Sequence, residues 1–175
     1  MIIGLVGYHS SGKSFLSEFV VKTYGWRYVV KRELLRQWSA MGGNEQAFTG
    51  WYRDLYHRMG SYEIMLHILQ LVKYSRDSGE VVLLDAIHTP DEWKAVTEVE
   101  PESMLASVIL PKSLRLVRSS PEDMALDIKR ERFWHNENTC LLSQVEWSFN
   151  GMANEELRAL EMLMLFKYLK ASGKI

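Results

Sequence analysis

The segment GLVGYHSSGKS, residues 4–14, places the strongest constraint on how this chain can fold. Its Gly7, Gly12, Lys13 and Ser14 match every fixed position of the phosphate-binding pattern G-x-x-x-x-G-K-[ST]. Glycine permits backbone dihedrals that a side chain would forbid, so the main chain can close around an anion. Successive N–H groups and the positive end of a following helix would then face that anion. The pattern therefore predicts a loop that binds phosphate groups.

The residues on either side of this loop provide the context that such a loop requires. Residues 1–6 form an apolar run, broken by one glycine, that is typical of a strand buried on both faces of a parallel sheet. Residues 15–20 then carry apolar side chains at helical spacing, and Gly25 ends the helical segment after Tyr24. A glycine turn with a merely solvated lysine is the alternative interpretation, and the flanking strand and helix argue against it.

The loop also predicts the cofactors. Lys13 is expected to reach the β- and γ-phosphate oxygens of a nucleotide, and the Ser14 hydroxyl is expected to be a ligand of Mg²⁺. We therefore expect ATP and Mg²⁺ as cofactors, with Lys13 also acting in catalysis. The expected nucleotide-binding residues are Gly7, Tyr8, His9, Ser10, Ser11, Gly12, Lys13, Ser14 and Phe15.

Length and composition limit the remaining possibilities. The chain has 175 residues, which suits one domain over residues 1–175, and no linker or repeat divides it. The formal net charge of −1 predicts no nucleic-acid partner. A lone cysteine, Cys140, fits a reducing compartment. Because neither a leader nor an apolar segment long enough to span a bilayer is visible, we expect a cytoplasmic protein without a membrane partner.

Apolar runs of strand type alternate with segments of helical spacing along the chain. This alternation predicts a three-layer α/β fold of the P-loop NTPase type, in which helices cover both faces of a mainly parallel sheet. The predicted strands cover residues 1–6, 26–30, 81–84, 104–110 and 145–149. The predicted helices cover residues 15–24, 31–40, 46–58, 62–74 and 113–133, and two more begin after the cap residues Thr89 and Asn154.

Asp85 stands at the carboxyl end of the predicted strand 81–84. Ligands of open α/β sheets bind at that end of the strands. A carboxylate there, beside a phosphate-binding loop, can contact Mg²⁺ or can orient and deprotonate a phosphate acceptor. We therefore predict a catalytic role for Asp85 and a metal site made by Ser14 and Asp85. The alternative is an aspartate that only caps the following turn.

The basic segment DIKRERFW, residues 127–134, predicts a lid. Phosphoryl transfer needs positive charge around the moving group, and Arg130 and Arg132 can supply it. Two residues that are two apart do not share a helix face, so the chain is expected to bend near Glu131. We predict a lid over about residues 113–139, with Arg130 and Arg132 as catalytic side chains. A solvated basic helix face is the alternative.

Two further groups of residues follow the second and third predicted strands. Glu33 and Arg36 stand three residues apart after the second strand, and Asp85, His88 and Glu92 follow the third in the segment DAIHTPDEW. Together with KRERFW and WSFNGMANEELRAL, these motifs resemble those of P-loop kinases of the adenylate kinase and dephospho-CoA kinase type. The most similar group is a nucleotide-kinase-like group familiar from archaea, whose substrates are poorly defined. The resemblance covers nearly the whole chain.

The resemblance implies an acceptor-binding helical region over about residues 31–75, with Glu33, Arg36 and His88 contacting the substrate. His88 stands where the group has an arginine and Glu33 where it has an aspartate, which leaves the identity of the acceptor open. We expect transfer of the γ-phosphate of ATP·Mg²⁺ to a small phosphorylated acceptor, a nucleotide or dephospho-CoA-like molecule, by a monomer or homodimer. The alternative is a nucleotide-dependent switch or ATPase module that acts through a protein partner.

Overall fold

The computed structural model describes residues 1–40, 44–74, 79–121, 124 and 140–175. The strands are β1 (Ile2–Val6), β2 (Arg27–Val30), β3 (Val82–Asp85), β4 (Met104–Ile109) and β5 (Trp147–Asn150). Within the described residues these strands form one sheet in the order β2-β3-β1-β4-β5, and every neighbouring pair is parallel. The phosphate-binding motif therefore follows a strand of a parallel sheet, as the sequence predicts, and the sheet order makes that strand the central one.

The helices lie in the segments that the helical spacing indicated, with one exception described below. Their bounds are α1 (Lys13–Tyr24), α2 (Lys31–Ser39), α3 (Glu45–Tyr74), α4 (Pro90–Val99), α5 (Lys112–Arg118) and α6 (Glu155–Ala171). Gly60 interrupts α3 with φ of 77° and ψ of 166°, so α3 consists of two helical segments, as predicted. None of the described helices is long and apolar enough to cross a membrane.

The helices cover the sheet on both faces. β1 is buried throughout, because α1 and α6 pack on one of its faces and α3 and α4 on the other. Gly4 interrupts the apolar run of β1 for a steric reason. A Cβ atom at this position would lie 2.9 Å from the side chain of Ile87 and 3.0 Å from that of Trp93. The glycine lets α4 and its preceding loop approach the sheet closely.

The predicted helix caps are confirmed. The Thr89 hydroxyl accepts a hydrogen bond from the Glu92 backbone N–H, and a proline occupies the first position of α4. Asn154 caps α6 in the same way through the Leu157 N–H. Gly25 ends α1 with a φ of 68°, in the left-handed region that glycine tolerates. These ends were readable from the sequence because each depends on a few adjacent residues.

The predicted continuous helix over residues 113–133 is wrong in its described part. α5 ends at Arg118, and Ser119 has extended dihedrals of −88° and 142°. Pro121 prevents the helix from continuing, because it has no N–H to donate to the Val117 carbonyl oxygen and its ring would clash with that carbonyl. Residues 125–139, which include the predicted catalytic Arg130 and Arg132, lie outside the described residues. The lid itself therefore stays a prediction.

Candidate active site

The phosphate loop connects β1 to α1 at the carboxyl edge of the sheet. A Cβ atom on Gly7 would lie 2.8 Å from the Val108 carbonyl oxygen, and one on Gly12 would lie 3.0 Å from the Gly151 carbonyl oxygen. Gly12 also has a φ of 100°, which disfavours any other residue. The two glycines of the motif thus let the loop lie directly against β4 and the turn after β5.

The loop gathers groups that bind anions. Lys13 Nζ donates hydrogen bonds to the carbonyl oxygens of Gly7 and Tyr8, both at 2.9 Å. α1 begins at Lys13, so the N–H groups of its first turn lie at the loop. Ser14 is exposed at this helix start, whereas the Ser11 hydroxyl is buried without a hydrogen-bond partner. A cation, helix N–H groups and an exposed hydroxyl together suit a polyphosphate.

Side chains at the end of α5 contact the phosphate loop. The guanidinium carbon of the buried Arg115 lies 4.4 Å from the centroid of the Tyr8 ring, and its Nη1 donates to the His9 carbonyl oxygen at 3.4 Å. Ser119 Oγ donates to Ser10 Oγ at 3.0 Å, and Ser10 has a φ of 55°, which is uncommon for a residue with a side chain. No local pattern indicated these contacts, because more than 100 residues separate their partners.

The turn after β5 packs directly against the backbone of the phosphate loop. A Cβ atom on Gly151 would lie 2.1 Å from the Ser11 carbonyl oxygen, so no other residue fits there without a shift of backbone. The turn is held by the fully buried Arg158, whose Nη2 donates to the Asn150 carbonyl oxygen at 2.9 Å. Glu161 pairs with Arg158 at 2.6 Å and accepts the Asn150 N–H at 2.7 Å. Arg158 and Glu161 therefore hold both polar backbone groups of the residue before Gly151.

Gly151→Ala is expected to lower both the Tm and the affinity for ATP. Either the turn or the phosphate loop must move to admit the methyl group, and overpacking of this kind costs about 1–3 kcal/mol. We expect ATP affinity to fall about tenfold or more, since a tenfold change corresponds to roughly 1.4 kcal/mol. Thermal unfolding and calorimetry with ATP·Mg²⁺ measure the two effects. Gly50→Ala is the control, because nothing lies within 4 Å of a Cβ there. Equal Tm and affinity in the two variants would contradict the prediction.

Asp85 is the last residue of β3 and lies in register with Leu5 of β1 and Val30 of β2. Tyr28 Oη donates a hydrogen bond to Asp85 Oδ2 at 2.7 Å. Burial and the negative charge of Asp85 raise the pKa of Tyr28, so the phenol remains a donor at neutral pH. The other carboxylate oxygen, Oδ1, is buried without a hydrogen-bond partner. In the described residues no backbone N–H donates to Asp85, so it does not cap the turn.

Oxygen atoms suited to Mg²⁺ lie at this edge of the sheet. They are the unpaired Oδ1 of Asp85 and the exposed hydroxyl of Ser14 at the start of α1. Among the described residues, no group of three or more His, Cys, Asp or Glu side chains could hold a metal. Mg²⁺ can bind where the protein provides only one or two ligands, because it keeps several waters and takes phosphate oxygens as ligands. Ser14 and Asp85 thus fit the metal role predicted for them, and the loop fits ATP.

A buried ion pair orients His88 at the start of α4. Lys31 Nζ lies 2.6 Å from Glu92 Oε1, and neither side chain is more than 5% exposed. Nζ also lies 2.9 Å from His88 Nδ1, and Glu92 Oε2 accepts the His88 backbone N–H at 2.7 Å. Because an ammonium group can only donate, Nδ1 accepts and the ring proton is on Nε2. The pair therefore fixes the tautomer of an exposed imidazole.

Glu33 and Arg36 lie one turn apart on α2. Glu33 is exposed, whereas Arg36 is half-buried with its guanidinium carbon 5.5 Å from the centroid of the Phe48 ring. Phe48 in turn stacks with Tyr52 at a centroid distance of 6.3 Å. Burial and the negative charge of Glu92 raise the pKa of Tyr52, which keeps its hydroxyl protonated. Aromatic side chains of α3 thus lie beside Arg36, and one of them lies within the electrostatic influence of Glu92.

Comparison with known proteins identifies the fold. No protein-family model and no curated protein matches the chain. Among solved structures, it is similar to shikimate kinase from Aquifex aeolicus, with a TM-score of 0.61 and 16% identity over 98% of this chain and 99% of that one. Shikimate kinases from Acinetobacter baumannii, in complex with shikimate, and from Bacteroides thetaiotaomicron each have a TM-score of 0.60 and 13% identity. They match 97% of this chain, and the match covers 93% and 98% of their own chains.

At these identities the likeness shows the fold alone. It confirms the predicted P-loop NTPase fold, with a five-stranded parallel sheet between helices as in these shikimate kinases. The more specific resemblance to adenylate kinase and dephospho-CoA kinase does not follow from these structures. The residues of the candidate site, described above, therefore have to carry any conclusion about function.

Proposed function

We propose that this protein is a P-loop kinase that transfers the γ-phosphate of ATP·Mg²⁺ to a small phosphorylated acceptor, a nucleotide or dephospho-CoA-like molecule. The observation that carries the proposal is the position of Asp85. Its buried, unpaired Oδ1 lies at the end of the strand next to the phosphate loop, and Tyr28 holds the other carboxylate oxygen. The similar solved structures are kinases, and one contains shikimate, which supports a small-molecule acceptor.

On the nucleotide side, Lys13 and the N–H groups of the loop would bind the β- and γ-phosphates, and Ser14 and Asp85 would hold Mg²⁺. The bound ion would neutralise charge on the phosphate oxygens during transfer. The phosphate loop packs against both α5 and the turn after β5. Arg118 Nη1 connects these two elements by donating to the Gly151 carbonyl oxygen at 3.1 Å. A loop so held positions the donor phosphates before the reaction, which is the main requirement of phosphoryl transfer.

On the acceptor side, Asp85 would orient or deprotonate the attacking group. Oδ1 can accept that proton only where it does not itself coordinate Mg²⁺, because Tyr28 already donates to Oδ2. The Nε2–H of His88 and the guanidinium of Arg36 would bind anionic groups of the acceptor, while Glu33 would accept hydrogen bonds from it. An acceptor with at least one phosphate or carboxylate group satisfies this set of donors.

The predicted lid is the third part of the proposed mechanism. Arg130 and Arg132 would bring positive charge to the transferring phosphoryl group, a contact that strengthens as charge moves in the transition state. Because these residues lie outside the described part of the chain, this role depends on their position in the sequence and on the need of the reaction for such charge. Transfer of the γ-phosphoryl group to an acceptor and its transfer to water both need such charge.

Transfer of labelled γ-phosphate from ATP to a panel of acceptors tests the proposed function. The panel contains nucleoside monophosphates, dephospho-CoA and shikimate, and Lys13→Ala is the blank. A labelled acceptor formed faster than inorganic phosphate supports the kinase and identifies its substrate. Hydrolysis of ATP without any labelled acceptor would instead favour the nucleotide-dependent switch. Failure to bind ATP·Mg²⁺ at all would overturn both.

His88→Ala is expected to raise the KM for the acceptor about tenfold or more and to leave the KM for ATP unchanged. The variant loses one hydrogen bond to an anionic group, which is worth about 1.5–3 kcal/mol. His88→Gln places an amide donor near the position of Nε2 and is expected to recover part of the loss. Steady-state kinetics with each substrate varied in turn measure the effect. The control is His57→Ala, an exposed histidine of α3, and equal acceptor KM values in the two alanine variants would contradict this role.

A further inference from the structure

α6 presents a row of exposed apolar side chains on the side that faces away from the sheet. Leu160 and Leu163 are 54% and 51% exposed, and their neighbours Leu157 and Met164 are 40% and 49% exposed. The opposite side of the same helix packs with α1 into the core. Single exposed apolar side chains are ordinary on protein surfaces, but these three leucines and one methionine on one helix form a contiguous patch. The patch is therefore a candidate interaction surface.

Charged residues flank this row in a pattern that is complementary to itself. Glu156, Leu160, Leu163 and Lys167 follow one another in steps of four, three and four residues, the spacing of a coiled-coil seam, and all four are exposed. Suppose that two copies of α6 pack antiparallel about a two-fold axis between residues 161 and 162. Glu156 of each copy then faces Lys167 of the other, and Leu160 faces Leu163. Parallel packing would set like charges against each other.

We propose that two copies of this chain associate through α6 as an antiparallel, two-fold symmetric dimer. A two-fold interface uses the same surface of both copies, so the surface must complement itself, and this row does so in both charge and apolar contact. Ala159 lies on the exposed side as well and lets the two helices approach closely. The proposal does not depend on the proposed function, because none of these side chains belongs to the candidate active site.

The size of the surface sets the expected affinity. α6 has 17 residues and is about 25 Å long. Stable interfaces bury roughly 800 Å² on each partner, and an interface of one helix per subunit lies at the small end of that class. We therefore expect a reversible dimer with a dissociation constant of about 1–100 μM.

Sedimentation velocity of the full chain at about 1–200 μM, a range that spans the expected constant, tests the dimer. The wild-type protein is expected to dimerise, and Leu160→Glu combined with Leu163→Glu is expected to stay monomeric. Val117→Glu is the control, because Val117 is 85% exposed and belongs to α5 rather than to α6. A monomeric wild-type protein at the highest concentration would overturn the proposal. So would a dimer that survives the double substitution.

Charge reversal tests the antiparallel register. Glu156→Lys and Lys167→Glu are each expected to weaken self-association at least about tenfold, equivalent to roughly 1.4 kcal/mol. An equimolar mixture of the two variants restores opposite charges across the interface and is expected to dimerise. The chain that carries both substitutions is expected to dimerise like the wild type. If the double reversal stays as weak as the single variants, or if the single variants associate normally, the register is wrong. Thermal unfolding confirms that each variant is folded.

Discussion

Replacement of Lys13 by alanine is expected to lower the affinity for ATP·Mg²⁺ at least about a hundredfold, which corresponds to about 2.8 kcal/mol. Lys13 Nζ lies at the loop, where it donates to two backbone carbonyl oxygens. It is therefore close to the place where β- and γ-phosphate oxygens would bind. The side chain is only half-buried, so the fold is expected to persist. Calorimetry with Mg²⁺ present measures the affinity.

Lys22→Ala is the matched control for this experiment. Lys22 is exposed in the last turn of α1, so its replacement removes the same charge from the same helix at a distance from the loop. Thermal unfolding of both variants shows whether each remains folded. Equal ATP affinity in the two variants would show that the loop does not bind the nucleotide through Lys13, and the assignment of the phosphate site would then be wrong.

Asp85→Asn is expected to lower turnover by about a hundredfold or more, the scale of a lost acid–base or charge-positioning group. Asparagine keeps an oxygen that can accept the Tyr28 hydrogen bond but loses the negative charge and the basic oxygen. ATP affinity is therefore expected to change by only a small factor, while the transfer step slows. Turnover at saturating Mg²⁺ and ATP binding by calorimetry separate the two effects.

Asp91→Asn is the control for Asp85, because Asp91 is an exposed carboxylate in the first turn of α4. It changes the net charge equally and is expected to leave turnover unchanged. Turnover of Asp85→Asn equal to that of Asp91→Asn would remove Asp85 from the catalytic group. A large loss of ATP affinity in Asp85→Asn, with unchanged transfer, would restrict Asp85 to metal binding.

Much of the fold could be predicted from local sequence. The phosphate loop is a continuous motif, and its strand, its helix and the caps at Thr89 and Asn154 each depend on residues within a few positions of one another. The wrong prediction of a helix over residues 113–133 is also local in origin. Residues on both sides of Pro121 favour a helix, but the proline itself cannot continue the hydrogen bonding of a helix that precedes it. The break at Gly60, in contrast, agreed with the predicted boundary between two helices.

The sequence by itself determined the strand–loop–helix that carries the phosphate-binding motif, the parallel α/β class and the position of Asp85 at a strand end. Only the tertiary structure decided what surrounds these groups. Arg115 packs on Tyr8, Gly151 lies against the loop, and Lys31 orients His88 through contacts between residues that are distant in the chain. Such contacts leave no periodic signal, because they depend on which elements the sheet order brings together rather than on neighbouring residues. The phosphate-binding motif determines the conformation of its own backbone, whereas the residues that pack around it are determined by the tertiary fold.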